Sequence, residues 1–137
     1  MAALYAESSA LVKLVRDEAE SEALRAYVGD ADLLSCDLVL TELPRAIRRA
    51  AALEPVLGLE RLLRRVDDLL DELALLPLDP GLLDAAGALT EPGLRALDAI
   101  HIAAALSLWP LDGFVSYDER QSAAARLAGI RTVAPGS

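Results

Sequence analysis

Short apolar runs alternate with longer stretches in which apolar residues return every three or four positions. Ala3 to Ala6, Leu33 to Cys36, Leu75 to Leu78, Phe114 to Tyr117 and Ile130 to Val133 have strand length and composition. Between them the helical period predicts a helix from about Ser9 and a second over 18–28, ended by Gly29-Asp30. A long third helix runs to about Leu53, and a fourth starts at Pro55. Ser8 or Ser9 is expected to cap the first helix and Asp37 the third, with Pro44 kinking the third or moving its start towards residue 42. The fourth helix carries an apolar stripe from Val56 to Leu73, opposite a charged face. Asp79-Pro80 opens a fifth helix, which frays near Gly87. Thr90-Glu91-Pro92-Gly93 is a loop, and further helices begin near Asp98 and at Glu119. Strands alternating with helices predict an α/β fold of three layers, α/β/α, around a mainly parallel sheet of four to five strands. Residues 1–137 read as one domain, without repeats or an interdomain linker.

The pattern also places chemistry. Glu7 ends the first strand, Glu42 falls early in the third helix, Asp98 opens a helix, and Asp118 follows the strand at 114–117. Parallel strands bring their carboxyl ends to one edge, where an α/β fold builds its site. Carboxylates gathered there repel one another and raise their own pKa values unless a cation neutralises them. Oxygen-only ligands suit Mg²⁺ or Mn²⁺, which can activate water and stabilise charge in phosphodiester hydrolysis. The competing reading makes Glu7 and Asp118 solvated strand ends, Glu42 a surface charge and Asp98 a cap at a helix dipole.

Charge bears on this choice. The net charge of −9 opposes nucleic-acid binding, unless acids are collected around cations and basic residues lie close by. Arg45, Arg48 and Arg49 follow Glu42 on the same helix, and three-residue spacing puts Arg45 on the Glu42 face. Arg45 and Arg49 are therefore candidates for phosphate contact, with Arg95 and Arg120 weaker ones. Cys36 alone makes no internal disulfide, and His101 alone builds no zinc site. No apolar run is long enough for a membrane span and no secretory leader is present, so a cytoplasmic location is expected. No glycine-rich loop follows the first strand, which argues against a nucleotide-binding domain.

Four segments carry a family resemblance. Tyr5-Ala6-Glu7-Ser8-Ser9-Ala10-Leu11-Val12-Lys13-Leu14 resembles the opening of PIN-domain proteins of the VapC toxin type. Leu40-Thr41-Glu42-Leu43, Leu97-Asp98-Ala99-Ile100-His101-Ile102-Ala103 and Val115-Ser116-Tyr117-Asp118-Glu119-Arg120 resemble the later motifs, in family order. The resemblance implies a Mg²⁺- or Mn²⁺-dependent endoribonuclease, the toxin of a toxin–antitoxin pair, acting as a homodimer with a VapB-type antitoxin. Glu7, Glu42, Asp98 and Asp118 would be catalytic, and Glu7, Asp98 and Asp118 would hold the metal. Ser9 and Ser116 match positions where a hydroxyl orients a carboxylate. His101 is expected to point into helix packing, and Cys36 to be a core thiol. One position departs: the family has Asp where this chain has Glu7. The extra methylene displaces the carboxylate by roughly 1.5 Å, about the rise of one helical residue. The alternative expectation is therefore a PIN-fold binding module that dimerises and holds an antitoxin with its chemistry impaired.

Overall fold

The computed structural model describes residues 2–137. The strands are β1 (Ala3–Ala6), β2 (Asp32–Cys36), β3 (Ala74–Leu76), β4 (Gly113–Val115) and β5 (Thr132–Val133). The helices are α1 (Ser8–Val15), α2 (Ser21–Val28), α3 (Val39–Leu53), α4 (Leu59–Glu72), α5 (Pro80–Gly87), α6 (Ala96–Ser107) and α7 (Glu119–Leu127). All strand pairs are parallel, in the order β3-β2-β1-β4-β5. The chain steps outwards from β1 to β3, then returns to the other side of β1 with β4. The order thus reverses between β1 and β4, where the loops after the two strands diverge and leave a crevice.

Alternation along the strands builds two cores. Leu4, Ala6 and Val115 face one way, into a core with Leu11 and Val15 of α1, Leu24 of α2, Leu43 and Ile47 of α3, and Leu62 and Val66 of α4. Tyr5, Cys36 and Phe114 face the other way, against Leu82 of α5, Ile102 and Ala103 of α6 and Ala125 of α7. These are the expected three layers, with a sheet of five strands.

Several local expectations change. Glu7, not a serine, is the N-cap of α1: its carboxylate accepts from the Ser9 amide at 2.9 Å. Asp37 does not cap α3, which begins at Val39 after Leu38 without a side-chain cap. The helix starts at Val39 and continues past Pro44 to Leu53, because Val39, Leu43, Ile47 and Ala51 form a buried four-residue stripe that outweighs one missing N–H. Pro55 starts only a single 3₁₀ turn, Pro55–Leu57; Gly58, at φ 76°, then lets α4 set off from Leu59. Of the long apolar stripe on α4, Leu62 and Val66 are buried while Leu59, Leu63, Leu69 and Leu70 are only partly covered.

Candidate acidic site at the carboxyl edge of the sheet

Glu7 and Asp118 are built alike. Each leaves a strand flanking the crevice and opens a helix as its N-cap. Asp118 Oδ1 accepts from the amides of Arg120 (3.0 Å) and Gln121 (3.1 Å). Glu7 Oε1 accepts from the amide and the hydroxyl of Ser9. Glu42, in the first turn of α3, follows the same scheme: its Oε1 accepts from Ser8 Oγ (2.6 Å) and His101 Nε2 (2.7 Å). In all three carboxylates one oxygen takes two donors from the protein. The second oxygens of Glu42, half-buried, and Asp118, exposed, have no hydrogen-bond partner among the described residues, whereas Glu7 is buried with the Ser116 hydroxyl beside its carboxylate. An acid held by one oxygen with the other free is oriented for a ligand.

Asp98 enters from the first turn of α6. Gln121 Nε2 of α7 donates to the Asp98 carbonyl at 3.4 Å, which ties the two helix starts together. Burial pushes the Asp98 carboxyl above its ordinary value, and the charge of Asp118 pushes it further, with a smaller push from Glu42. The charges of His101 and Arg95 oppose that rise. Glu7 is 5% exposed, and burial raises its pKa against the bonds from Ser9, the charge of His101 and the Ser116 hydroxyl. Burial thus works against the charged forms of both Glu7 and Asp98, and at Asp98 the neighbouring Asp118 charge adds to it.

Both predicted hydroxyls lie against these acids. Ser9 Oγ donates to Glu7 and accepts from the Tyr117 amide at 2.8 Å. Ser116 Oγ accepts from the Asp118 amide at 3.1 Å.

Two residues contribute more than the sequence suggested. His101 is buried as expected, but it does not merely fill helix packing: it joins Glu42 to the Tyr5 hydroxyl, 2.7 Å from Nδ1, with Cys36 Sγ at 3.7 Å. Burial works against a charged imidazole, yet the bonds to Cys36 and Glu42 and the Glu42 charge push its pKa up to about 10. Ser8, expected only as a cap, holds Glu42. The one sequence signal for the histidine was its spacing, since His101 follows Asp98 by three positions and shares its helix face.

Arg45 and Arg49 are exposed and make no ion pair among the described residues. With Thr41, Glu42, Ala46 and Leu97 they line an open groove of about 310 Å³ beside the acids.

No three His, Cys, Asp or Glu side chains among the described residues already stand as a metal cage. Mg²⁺ does not need one; it keeps several waters and binds through one or two carboxylates plus substrate phosphates. Free carboxylate oxygens next to a mutually repelling Asp98 and Asp118 fit such an ion.

Comparison with known proteins bears on this site. The family model described as "PIN domain" matches residues 4–127. The chain is 39% identical over 139 aligned positions to ribonuclease VapC35 of Mycobacterium tuberculosis, covering 97% of each protein. Among solved structures, VapC20 of Mycobacterium tuberculosis, titled a sarcin-ricin loop cleaving toxin, superposes with a TM-score of 0.72 over 96% of this chain and 99% of that one, at 16% identity. VapBC2 of Rickettsia felis, bound to a promoter DNA fragment, gives a TM-score of 0.67 at 11% identity, over 97% of this chain and 98% of that one.

Proposed function

The chain belongs to the PIN-domain family, and from that premise we propose that it is the toxin of a toxin–antitoxin pair, an endoribonuclease that hydrolyses RNA phosphodiester bonds at the acidic crevice. The observation that carries this reading is the shared construction of Glu7, Glu42 and Asp118. Each has one oxygen locked by two donors, and Glu7 and Asp118 follow the two strands between which strand order reverses. The ribonuclease name of a relative covering 97% of this chain supports the substrate class.

Glu7, Asp98 and Asp118 would hold Mg²⁺ or Mn²⁺. Such an ion supplies Lewis-acid stabilisation of the phosphate and a more acidic bound water. The residues of the chain do the rest. Arg45 and Arg49 hold backbone phosphates in the groove next to Glu42. Glu42, kept ionised by His101 and Ser8 against its burial, accepts the proton of the attacking water. The water oxygen bonds to phosphorus, and the ester P–O bond to the departing nucleoside breaks with its electron pair.

The partner is a small VapB-type antitoxin, which the arginine groove and the exposed Leu53 and Val56 at the α3–α4 tip would receive. The chain acts as a homodimer.

A second reading, a binding module with weakened chemistry, is favoured by one observation: the acids do not already form a three-residue metal cage. One experiment decides between the two. The purified protein is incubated with single-stranded RNA and Mg²⁺ or Mn²⁺, with chelator and with Asp98→Asn as controls. Metal-dependent cleavage that Asp98→Asn lacks supports the enzyme. RNA left whole by the parent, while an adjacent antitoxin still co-purifies, leaves the binding module.

A further inference from the structure

We propose that His101 is a positioning residue for RNA cleavage: from inside the core it holds Glu42 by one oxygen and so aims the other at the substrate. The proposal rests on the ribonuclease reading above. His101 is 1% exposed and Tyr5 is fully buried, so neither touches RNA or a hydrated ion. What they make is a fixed post. Tyr5 stacks on Phe114, with ring centroids 5.4 Å apart and planes within 3°, and meets His101 edge-on at 5.8 Å. Its hydroxyl, 2.7 Å from Nδ1, sets the plane of the imidazole. With that plane set, Nε2 reaches Glu42 Oε1 at 2.7 Å.

The bond crosses from one layer to the other. His101 belongs to α6, on the Tyr5 face of the sheet, and Glu42 to α3, on the opposite face. A glutamate has three rotatable bonds and would otherwise swing with its helix. Here Oε1 is saturated by Ser8 and His101, and only Oε2 is free to meet a reacting water. His101 lies one turn from Asp98 on α6, so the same bond ties the helix that carries Asp98 to the one that carries Glu42. Such outer partners, though they touch no substrate, can govern a site's rate.

The test uses the full chain and two substitutions of equal length. His101→Gln keeps an N–H donor at the reach of Nε2; His101→Met fills similar space and has none. Cleavage of a single-stranded RNA is followed at saturating Mn²⁺ with kcat and KM resolved, and melting temperatures are taken in parallel. His101→Met is expected to lose about tenfold or more in kcat with KM little changed, and His101→Gln to stay within about threefold of the parent. Equal kcat in His101→Met and the parent overturns the proposal, as does equal loss in both variants at unchanged melting temperature. If His101→Met does not fold, Ser8→Ala carries the test, because it removes the other donor to the same oxygen from a half-buried position. Several-fold loss of kcat supports the proposal and no loss overturns it. A parent that cleaves no RNA removes the ribonuclease reading and this proposal together; a parent that cleaves alongside an equally active His101→Met removes only this proposal.

Discussion

The hydroxyl of Ser9 joins the two loops that form the crevice: it donates to Glu7 after β1 and accepts from the amide of Tyr117 after β4, at 2.8 Å. One small side chain therefore couples the first predicted ligand to the backbone that carries Asp118. Ser9→Ala should leave the Tyr117 amide without its partner, at a cost of about 1–3 kcal/mol. For a chain of this size that is a fall in melting temperature on the order of 3–10 °C. Thermal denaturation checks this, and an unchanged midpoint would show that water replaces the hydroxyl freely.

Asp98 should destabilise the metal-free protein. Its carboxyl is raised by burial and by the Asp118 charge. A carboxyl raised in the folded state contributes stability that is fully present below its unfolded pKa and is lost as pH rises through the folded value. Asp98→Asn, which never ionises, should thus melt higher than the parent at pH 7 in chelator, with the gap closing below about pH 4. Saturating Mn²⁺ should reverse the order, since the parent gains more from the ion. Melting curves over pH, with and without Mn²⁺, decide it.

Glu42 and His101 should give a different pH profile. Burial opposes both charges, but His101 and Ser8 hold Glu42 below its ordinary range, while Cys36 and Glu42 push His101 up to about 10. The lowered Glu42 contributes stability above its unfolded pKa, which is lost as pH falls through its folded value. The raised His101 contributes stability that is complete below about pH 6.5 and lost as pH rises towards 10. The parent's advantage over His101→Met should therefore be greatest near pH 5.5–6.5 and shrink steadily to pH 10. A constant difference across that range would mean that the imidazole stabilises through packing alone.

Glu7→Asp tests the position at which the sequence resemblance leads one to expect aspartate. Aspartate is also a strong N-cap, so α1 keeps its start and the stability change should be below about 1 kcal/mol. The carboxylate withdraws by roughly 1.5 Å, about the rise of one helical residue. Calorimetric titration with Mn²⁺ should show tighter binding in Glu7→Asp, with faster RNA cleavage in step. Equal affinities in the two proteins would mean that Glu7 contributes no metal-binding oxygen.

Arg45 and Arg49 should act on RNA binding and not on the chemical step. Replacing both by Ala should raise KM and leave kcat nearly unchanged. It should also reduce the salt slope of RNA binding by about 1.4, at roughly 0.7 per phosphate on a single strand. Fluorescence anisotropy with labelled RNA across salt concentrations measures this; an unaltered slope would remove the groove from the RNA path.

Local signals carried most of the architecture. Each strand was a short apolar run, each helix a periodic stripe, and their alternation required a parallel sheet between helices. The four acids were visible too, because each falls beside the end of a strand or the start of a helix, and those ends have sequence signatures. What sequence could not supply was who holds whom. Glu7 as a cap displaced two serines that were better candidates by composition, because backbone geometry after β1 brought its carboxylate to the Ser9 amide. The bond between His101 and Glu42 spans 59 positions and joins opposite faces of the sheet, and the bond from Tyr117 to Ser9 spans 108. Such pairings depend on the register of β1 against β4 and on how α3 and α6 pack over the edge. Register and packing arise from the whole core closing at once, and no local stretch encodes them.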